Sequence, residues 1–391
     1  MAKFFDGKYP VVFIHGMFGW GAGEGINSVV PYWGATTGDL VEWLKGNGCR
    51  SYSVSVGPMS SAWDQACEIY AQLTGTRVDY GEVHAKRYNH KRFGREHKNA
   101  LIPDWNEENK VHFIGHSFGG NSIRMLAHLL EYGVPEEVEA SGENVSPLFK
   151  GGNGSLICSV TTICSPLNGT AAYETAARFK ILPVLKVLAY TYSAFLGRTR
   201  LNGFVDFHLE QFGMTRIPGE NEADSVIRSI KRFRESNDSI DFDMSPEGAK
   251  KLNERIKTSP SVFYFSYRYN AVRQYKNTNH YVPSECDFPF LILTSSLMMI
   301  NEKTDKTVKV IQNECANDGL VNVSSASFPD GEPHIEFDKN LPAPRGVWNV
   351  MPTNVGDHGT PIGLFADRLQ TRAFYLKHLD ILAKIENNFN F

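Results

Sequence analysis

A chain of 391 residues with 42% hydrophobic and 21% charged side chains can bury a large core, which excludes a protein dominated by disorder. Its 40 basic and 43 acidic residues nearly cancel to a formal charge of -3, so no strong field draws in a polyanion and no nucleic-acid partner is expected. The longest uncharged apolar run, Phe288 to Ile300, is too short for the ~30 Å hydrocarbon layer, so no transmembrane segment is expected either.

From Met1 to Pro10 there is no continuous apolar stretch of the secretory kind, which leaves a cytosolic chain or a signal already removed. Val11 to Ile14 reads as a buried strand, closed by His15-Gly16-Met17-Phe18-Gly19. A helical pattern over Thr37 to Lys45 leads to a second strand, Tyr52 to Val56. Ser60 to Ala100, rich in His, Arg, Lys and Tyr, reads as an insertion before the strand Val111 to Ile114. Asn121 to Tyr132 is helical in pattern and closes at Gly133 and Pro135. Strands follow at Leu156 to Thr162 and Val262 to Tyr267. Between them, Asn168 to about Thr258 is too long for a βα connection of ~2 to 6 residues and reads as a second insertion. In its first half Phe179 to Leu196 is apolar on nearly every side, as either a core helix or a mobile lid over an acyl pocket would be. A helical pattern over Asp367 to Ile385 ends the chain. Alternating strands and helices predict a single domain over residues 1–391 with a mostly parallel, doubly wound sheet and helices on both faces. Six scattered cysteines without a C-x-x-C pair predict free, mostly buried thiols.

The chemistry centres on Gly115-His116-Ser117-Phe118-Gly119, a G-x-S-x-G set directly between a strand and a helix. A serine on so tight a turn needs small residues two before and two after it, and Gly115 and Gly119 supply them. This predicts a nucleophile elbow of the α/β-hydrolase fold, hence a serine ester hydrolase. The fold's chain order, Ser then acid then His, calls for a carboxylate and a histidine downstream. His128 and His378 fall in helical patterns and His334 in a strand-like one, whereas His358 sits in the loop Asn354 to Gly359. For the carboxylate, Asp318 in Asn317-Asp318-Gly319 is favoured, with Asp287 and Asp330 as rivals. The tetrahedral oxyanion needs two donors, predicted to be the amides of Phe118 and Met17. His84 and His90 could meet one ion with carboxylates such as Asp64 or Asp79, or could simply be solvated basic surface.

With these residues laid out, the chain resembles the zinc-containing thermostable lipases of bacilli, relatives of the staphylococcal lipases. The resemblance runs from about Val11 to Leu382 through Phe18-Gly19-Trp20-Gly21, Val56-Gly57-Pro58-Met59-Ser60-Ser61, Arg92-Phe93-Gly94-Arg95 and Arg372-Ala373-Phe374-Tyr375-Leu376. It implies a triad of Ser117, Asp318 and His358, a helical lid within 168–258, and secretion. It also implies a structural Zn2+ on Asp64, His84, His90 and Asp243, which would staple the 60–100 insertion to the second one. The substrate implied is an ester lipid met at an interface, by a triacylglycerol lipase or carboxylesterase. A soluble short-chain esterase is the near alternative, and a non-catalytic lipid-binding protein on the same fold the distant one. Two departures stand out. Phe118 replaces the family's usual Gln, and Thr360 and Phe365 stand where relatives carry acidic Ca2+ ligands, with Asp367 as the one possible substitute. A Ca2+ site of the family's type is therefore not expected.

Overall fold

The computed structural model describes residues 5–172, 206, 208, 237–274, 276, 281–286, 291, 292, 295 and 316–387. Phe179 to Leu196, Cys315 and Asp287 lie outside the described residues, as do most of Phe288 to Ile300.

Seven strands make the central sheet: β1 (Val11–Ile14), β2 (Ser51–Val54), β3 (Val111–His116), β4 (Ile157–Ile163), β5 (Phe263–Tyr267), β6 (His334–Glu336) and β7 (Trp348–Val350). Their order is β6-β7-β5-β4-β3-β1-β2, and every pairing is parallel. Alternation along β1 divides the core. Val12 and Ile14 face one apolar cluster, and Val11 and Phe13 the other. The first is closed by helices α1 (Ala62–Thr74) and α2 (Gly119–Tyr132), through residues such as Trp63, Ile69, Ile123 and Leu126. The second is closed by Leu40, Val41 and Leu44 and by α3 (Arg368–Asn387), through Tyr375, Leu379 and Leu382. A parallel sheet covered on both faces has no solvated side, which is why its inner strands are buried along their whole length.

Helix α1 lies inside what reads in the sequence as an insertion, yet it packs on α2 and completes a layer of the fold. The remainder is a hairpin of Arg77–Asp79 with Phe93–Glu96 around a short helix Glu82–Tyr88, joined to the same core through Val78 and Tyr80. Strand β7 escapes a reading by pattern because three residues show no period, whereas register with β5 defines it at once. Cys49, Cys67, Cys158 and Cys164 are buried free thiols, and Cys286 is half-buried.

Chain order also sets where a site can form. The chain leaves β1 for β2 on one side, then crosses to β3 on the other, so the carboxyl ends of β1 and β3 flank a crevice at the point of reversal. Ile14 pairs with Gly115, so the loops after these two strands emerge level with each other.

Two buried histidines, His112 and His378, tie elements of the fold together. His112 links Ser159 Oγ (2.7 Å) to Glu386 (2.9 Å), a chain of groups that imitates a catalytic relay. Ser159 is fully buried within β4, out of reach of any substrate, and the chain instead ties α3 to the sheet. His378 joins Thr161 Oγ1 at 2.8 Å and Tyr267 Oη at 3.0 Å, and burial lowers it to about 3, so it stays neutral.

Candidate active site

Ser117 follows β3 with φ 55°, the strained left-handed region that a non-glycine residue adopts only when its surroundings compel it. A Cβ on Gly115 would come within 2.5 Å of the Gly119 backbone, and one on Gly119 within 2.4 Å of the Ile14 carbonyl. Both positions of the elbow therefore exclude any side chain. Ser117 donates its amide to Ile163 O at 2.8 Å, which anchors the turn to β4. Its residue is half-buried, beside the N-terminus of α2.

His358 and Asp318, forty residues apart, meet through Nδ1 and Oδ2 at 2.8 Å, and the His358 amide donates to the Asp318 carbonyl at 2.8 Å. The other carboxylate oxygen of Asp318 accepts from the amides of Leu320 (2.9 Å) and Val321 (2.7 Å). The Asn-Asp-Gly turn thus orients the carboxylate as well as reversing the chain. Asp357 spends Oδ1 on the amides of Gly359 and Thr360, and Asp330 is exposed. Asp367, the remaining acid near the family's Ca2+ position, accepts from the Gln370 amide at the start of α3. Among the described residues Ser117 Oγ and His358 Nε2 share no hydrogen bond. Contacts of this kind are commonly long in ligand-free sites and tighten around substrate. The His358 loop does reach the elbow, because the ring of His116, the residue before Ser117, stands 4.8 Å from that of His358, centroid to centroid.

The loop after β1 closes the other side. A Cβ on Gly16 would lie 2.6 Å from Ser117 Cβ and 3.1 Å from its Oγ, so this glycine permits direct contact with the elbow. Among the described residues, neither the Met17 nor the Phe118 amide donates to a protein acceptor. The Phe118 side chain is fully buried in the core, so its size does not intrude where its amide points.

Asp64, His84 and His90 come together, but the fourth ligand-type group with them is Asp238, not Asp243. Asp243 caps α1 instead, its Oδ2 accepting from the Ala62 amide at 2.8 Å. The resemblance implies Asp243, five residues further on, and no local signal in the sequence separates the two acids. Asp79 is also elsewhere, paired with Arg92 at 2.9 Å. His90 lies just beyond Asn89, whose φ of 55° turns the chain back and brings its ring 5.3 Å from that of His84.

This group fits a dication. His84 Nε2 is 3.3 Å from Asp64 Oδ1 and 3.2 Å from Asp238 Oδ2, and His90 Nε2 is 3.2 Å from Asp238 Oδ2. Ligand atoms about 2.0 Å from a tetrahedral ion stand about 3.3 Å apart. His90 Nδ1 donates to the Lys91 carbonyl, which leaves Nε2 as a lone-pair donor aimed inward. Burial opposes protonation of His84, yet Asp238 and Asp64 lift it to about 9, so the pocket calls for positive charge. A second group, His116, Cys164 and His358, is as close-packed, but both His116 nitrogens are engaged, by Tyr32 and by the His358 carbonyl.

Comparison with known proteins agrees with this architecture. Residues 7–388 match the family described as lipase-like, C-terminal domain. Lipase 2 of Staphylococcus aureus is 32% identical over 391 residues, covering 97% of this chain and 54% of the relative. The chain thus spans about half the length of the curated relatives it matches. The crystal structure of Staphylococcus hyicus lipase superposes with a TM-score of 0.84 at 31% identity, over 98% of this chain and 97% of that one. EstA from Clostridium botulinum gives 0.83 at 33%, over 98% and 89%.

Proposed function

We propose, since this chain belongs to the family of the lipase-like C-terminal domain, that it is a serine ester hydrolase, a triacylglycerol lipase or carboxylesterase acting through Ser117, His358 and Asp318. The observation that carries the reading is the buried Asp318–His358 pair on a loop that meets, through His116, the strand-to-helix turn where Ser117 has φ 55°. His358 Nε2 takes the Ser117 proton as Oγ attacks the ester carbonyl, and returns it to the departing alcohol. Water then attacks the acyl-enzyme, its proton passing to the same nitrogen. Asp318 remains ionised and holds the imidazole with its proton on Nδ1. The Met17 and Phe118 amides, both unspent, receive the oxyanion. Phe118 opens α2, so the positive end of that helix faces the same charge.

Labelling of Ser117 by a fluorophosphonate, together with hydrolysis of glycerol and p-nitrophenyl esters of graded chain length, tests the reaction class. Absence of both labelling and hydrolysis rules it out. Rate measured across the solubility limit of each ester then separates lipase from esterase. A jump at the limit is expected for an enzyme that meets lipid at an interface, whereas saturation below it assigns a soluble esterase, a reading that likeness to EstA favours. Family resemblance supports an exported enzyme, and among the described residues no helix is long and apolar enough to cross a membrane.

Zinc is the ion we assign to Asp64, His84, His90 and Asp238. Two carboxylates balance its charge, and imidazole with carboxylate is an ordinary zinc donor set. Closed by four protein groups, such a site has no position for substrate and serves to tie the hairpin segment to the chain at residue 238. Elemental analysis is expected to find about one zinc per chain, less in Asp238→Ala, and an unchanged content in Asp243→Ala. Equal zinc in the Asp238→Ala variant and the unaltered protein would remove Asp238 from the ligand set.

A further inference from the structure

Beyond the three catalytic side chains, a buried line of hydrogen bonds runs from the oxyanion loop to the catalytic-histidine loop. The Gly16 amide lies 2.9 Å from Tyr32 Oη, Tyr32 Oη lies 2.7 Å from His116 Nδ1, and His116 Nε2 lies 2.9 Å from the His358 carbonyl. Every direction in this line is determined by its ends. A carbonyl only accepts, so His116 carries its proton on Nε2. Burial holds His116 well below the ordinary imidazole range, so the ring is neutral and Nδ1 accepts the Tyr32 O–H. Tyr32 then has its oxygen lone pair free for the Gly16 N–H, which only donates.

The same glycine is held from its other side. Val56 donates its amide to His15 Nε2 at 3.2 Å, so His15 carries its proton on Nδ1 and donates to the Gly16 carbonyl at 2.9 Å. Gly19 donates to that carbonyl as well, at 3.0 Å. In a trans peptide the Met17 N–H points opposite to the Gly16 C=O, so pinning that oxygen aims the Met17 amide the other way. Gly16 must be a glycine to approach Ser117, and a glycine alone would leave both flanking peptide planes free to rotate. Tyr32 removes that freedom on the N–H side.

We propose that Tyr32 and His116 are positioning residues that couple the Met17 oxyanion amide to the backbone of the His358 loop, setting the two halves of the site as one unit. The inference rests on the Ser117–His358–Asp318 reading. Tyr32 is suited to the task because its ring is clamped by Trp20, Trp33 and His15 at 5.6–5.8 Å between centroids. Burial also raises its phenol above the ordinary value, so neither member of the line changes charge at neutral pH.

The test is Tyr32→Phe, which keeps the ring and removes one hydroxyl, measured beside His116→Leu and the double variant. With a soluble p-nitrophenyl ester, kcat is expected to fall about ten-fold or more, while KM and thermal midpoint hold. Affinity for a boronic acid that attaches to Ser117, its oxygen in the oxyanion position, is expected to fall in step with kcat. A merely structural role would lower the midpoint without moving the boronate in proportion. Because both residues act through one line, the double variant is expected to lose no more than His116→Leu alone. A Tyr32→Phe enzyme within about two-fold of the unaltered kcat, or an unchanged boronate affinity, overturns the proposal. So do additive effects in the double variant. If His116→Leu does not fold, the Tyr32→Phe measurements decide alone. Failure of the underlying reading looks different: the unaltered protein then neither hydrolyses ester nor takes up a fluorophosphonate.

Discussion

Ser117→Ala is expected to lower ester turnover by about 10⁶-fold with the fold intact, the scale set when a serine hydrolase loses its nucleophile. The change is expected to relieve no packing, since the site is made of backbone. Gly115, Gly119 and Gly16 crowd the elbow whatever residue 117 carries beyond Cβ. What disappears is the hydroxyl oxygen at the turn after β3, beside Gly16 of the loop after β1. Neither Ser159, sealed inside β4, nor any residue of its buried His112–Glu386 chain can stand in for it. The check is kcat with a p-nitrophenyl ester beside a thermal unfolding curve. Retention of more than about a hundredth of the activity would move the nucleophile elsewhere.

Asp318→Asn carries the second largest expected effect, about 10⁴-fold in kcat. The direction follows from the two amides at Oδ1. Leu320 and Val321 both donate to that oxygen, so an asparagine at 318 must keep its carbonyl there and turn its NH₂ toward His358. Facing a donor, His358 Nδ1 has to accept, and the ring proton moves to Nε2. That nitrogen is the one that must be empty to receive the Ser117 proton. The shape of the site survives while its base is in the wrong tautomer. Turnover lost together with an ¹⁵N signature of the Nε2–H form of His358 is the expected pair of results. Loss of less than about ten-fold would mean that Asp318 does not set the tautomer.

How much of this was legible before folding depends on the range of the interaction concerned. The elbow is a local event: strand, turn and helix occupy consecutive residues, and the glycines that the turn requires sit at fixed offsets from Ser117. His358 emerged by elimination, because helical and strand-like patterns accounted for His128, His378 and His334, and each of those patterns corresponds to an element. The metal ligands show the opposite case. Asp238 and Asp243 are both buried acids close to one short helix, and only the fold shows that one meets His84 while the other accepts from the Ala62 amide. The role of the Tyr32 hydroxyl has no local signature, since its polar atom matters only through partners 16 residues before it and 84 after it.

The amino-acid order by itself determined most of the sheet's inner strands, the helices that follow and precede them, and the chemistry to expect at Ser117, because periodicity and turn chemistry act over a few neighbouring residues and need no partner from afar. The three-dimensional fold decided which polar groups meet. Hydrogen bonds and ligand contacts fade within a fraction of an ångström of their ideal length, so that choice depends on backbone placement no local pattern encodes. It is the tertiary structure that gathers Asp238 with Asp64, His84 and His90, separates the buried Ser159–His112–Glu386 line from the crevice, and threads Tyr32 and His116 between the loops after β1 and before α3.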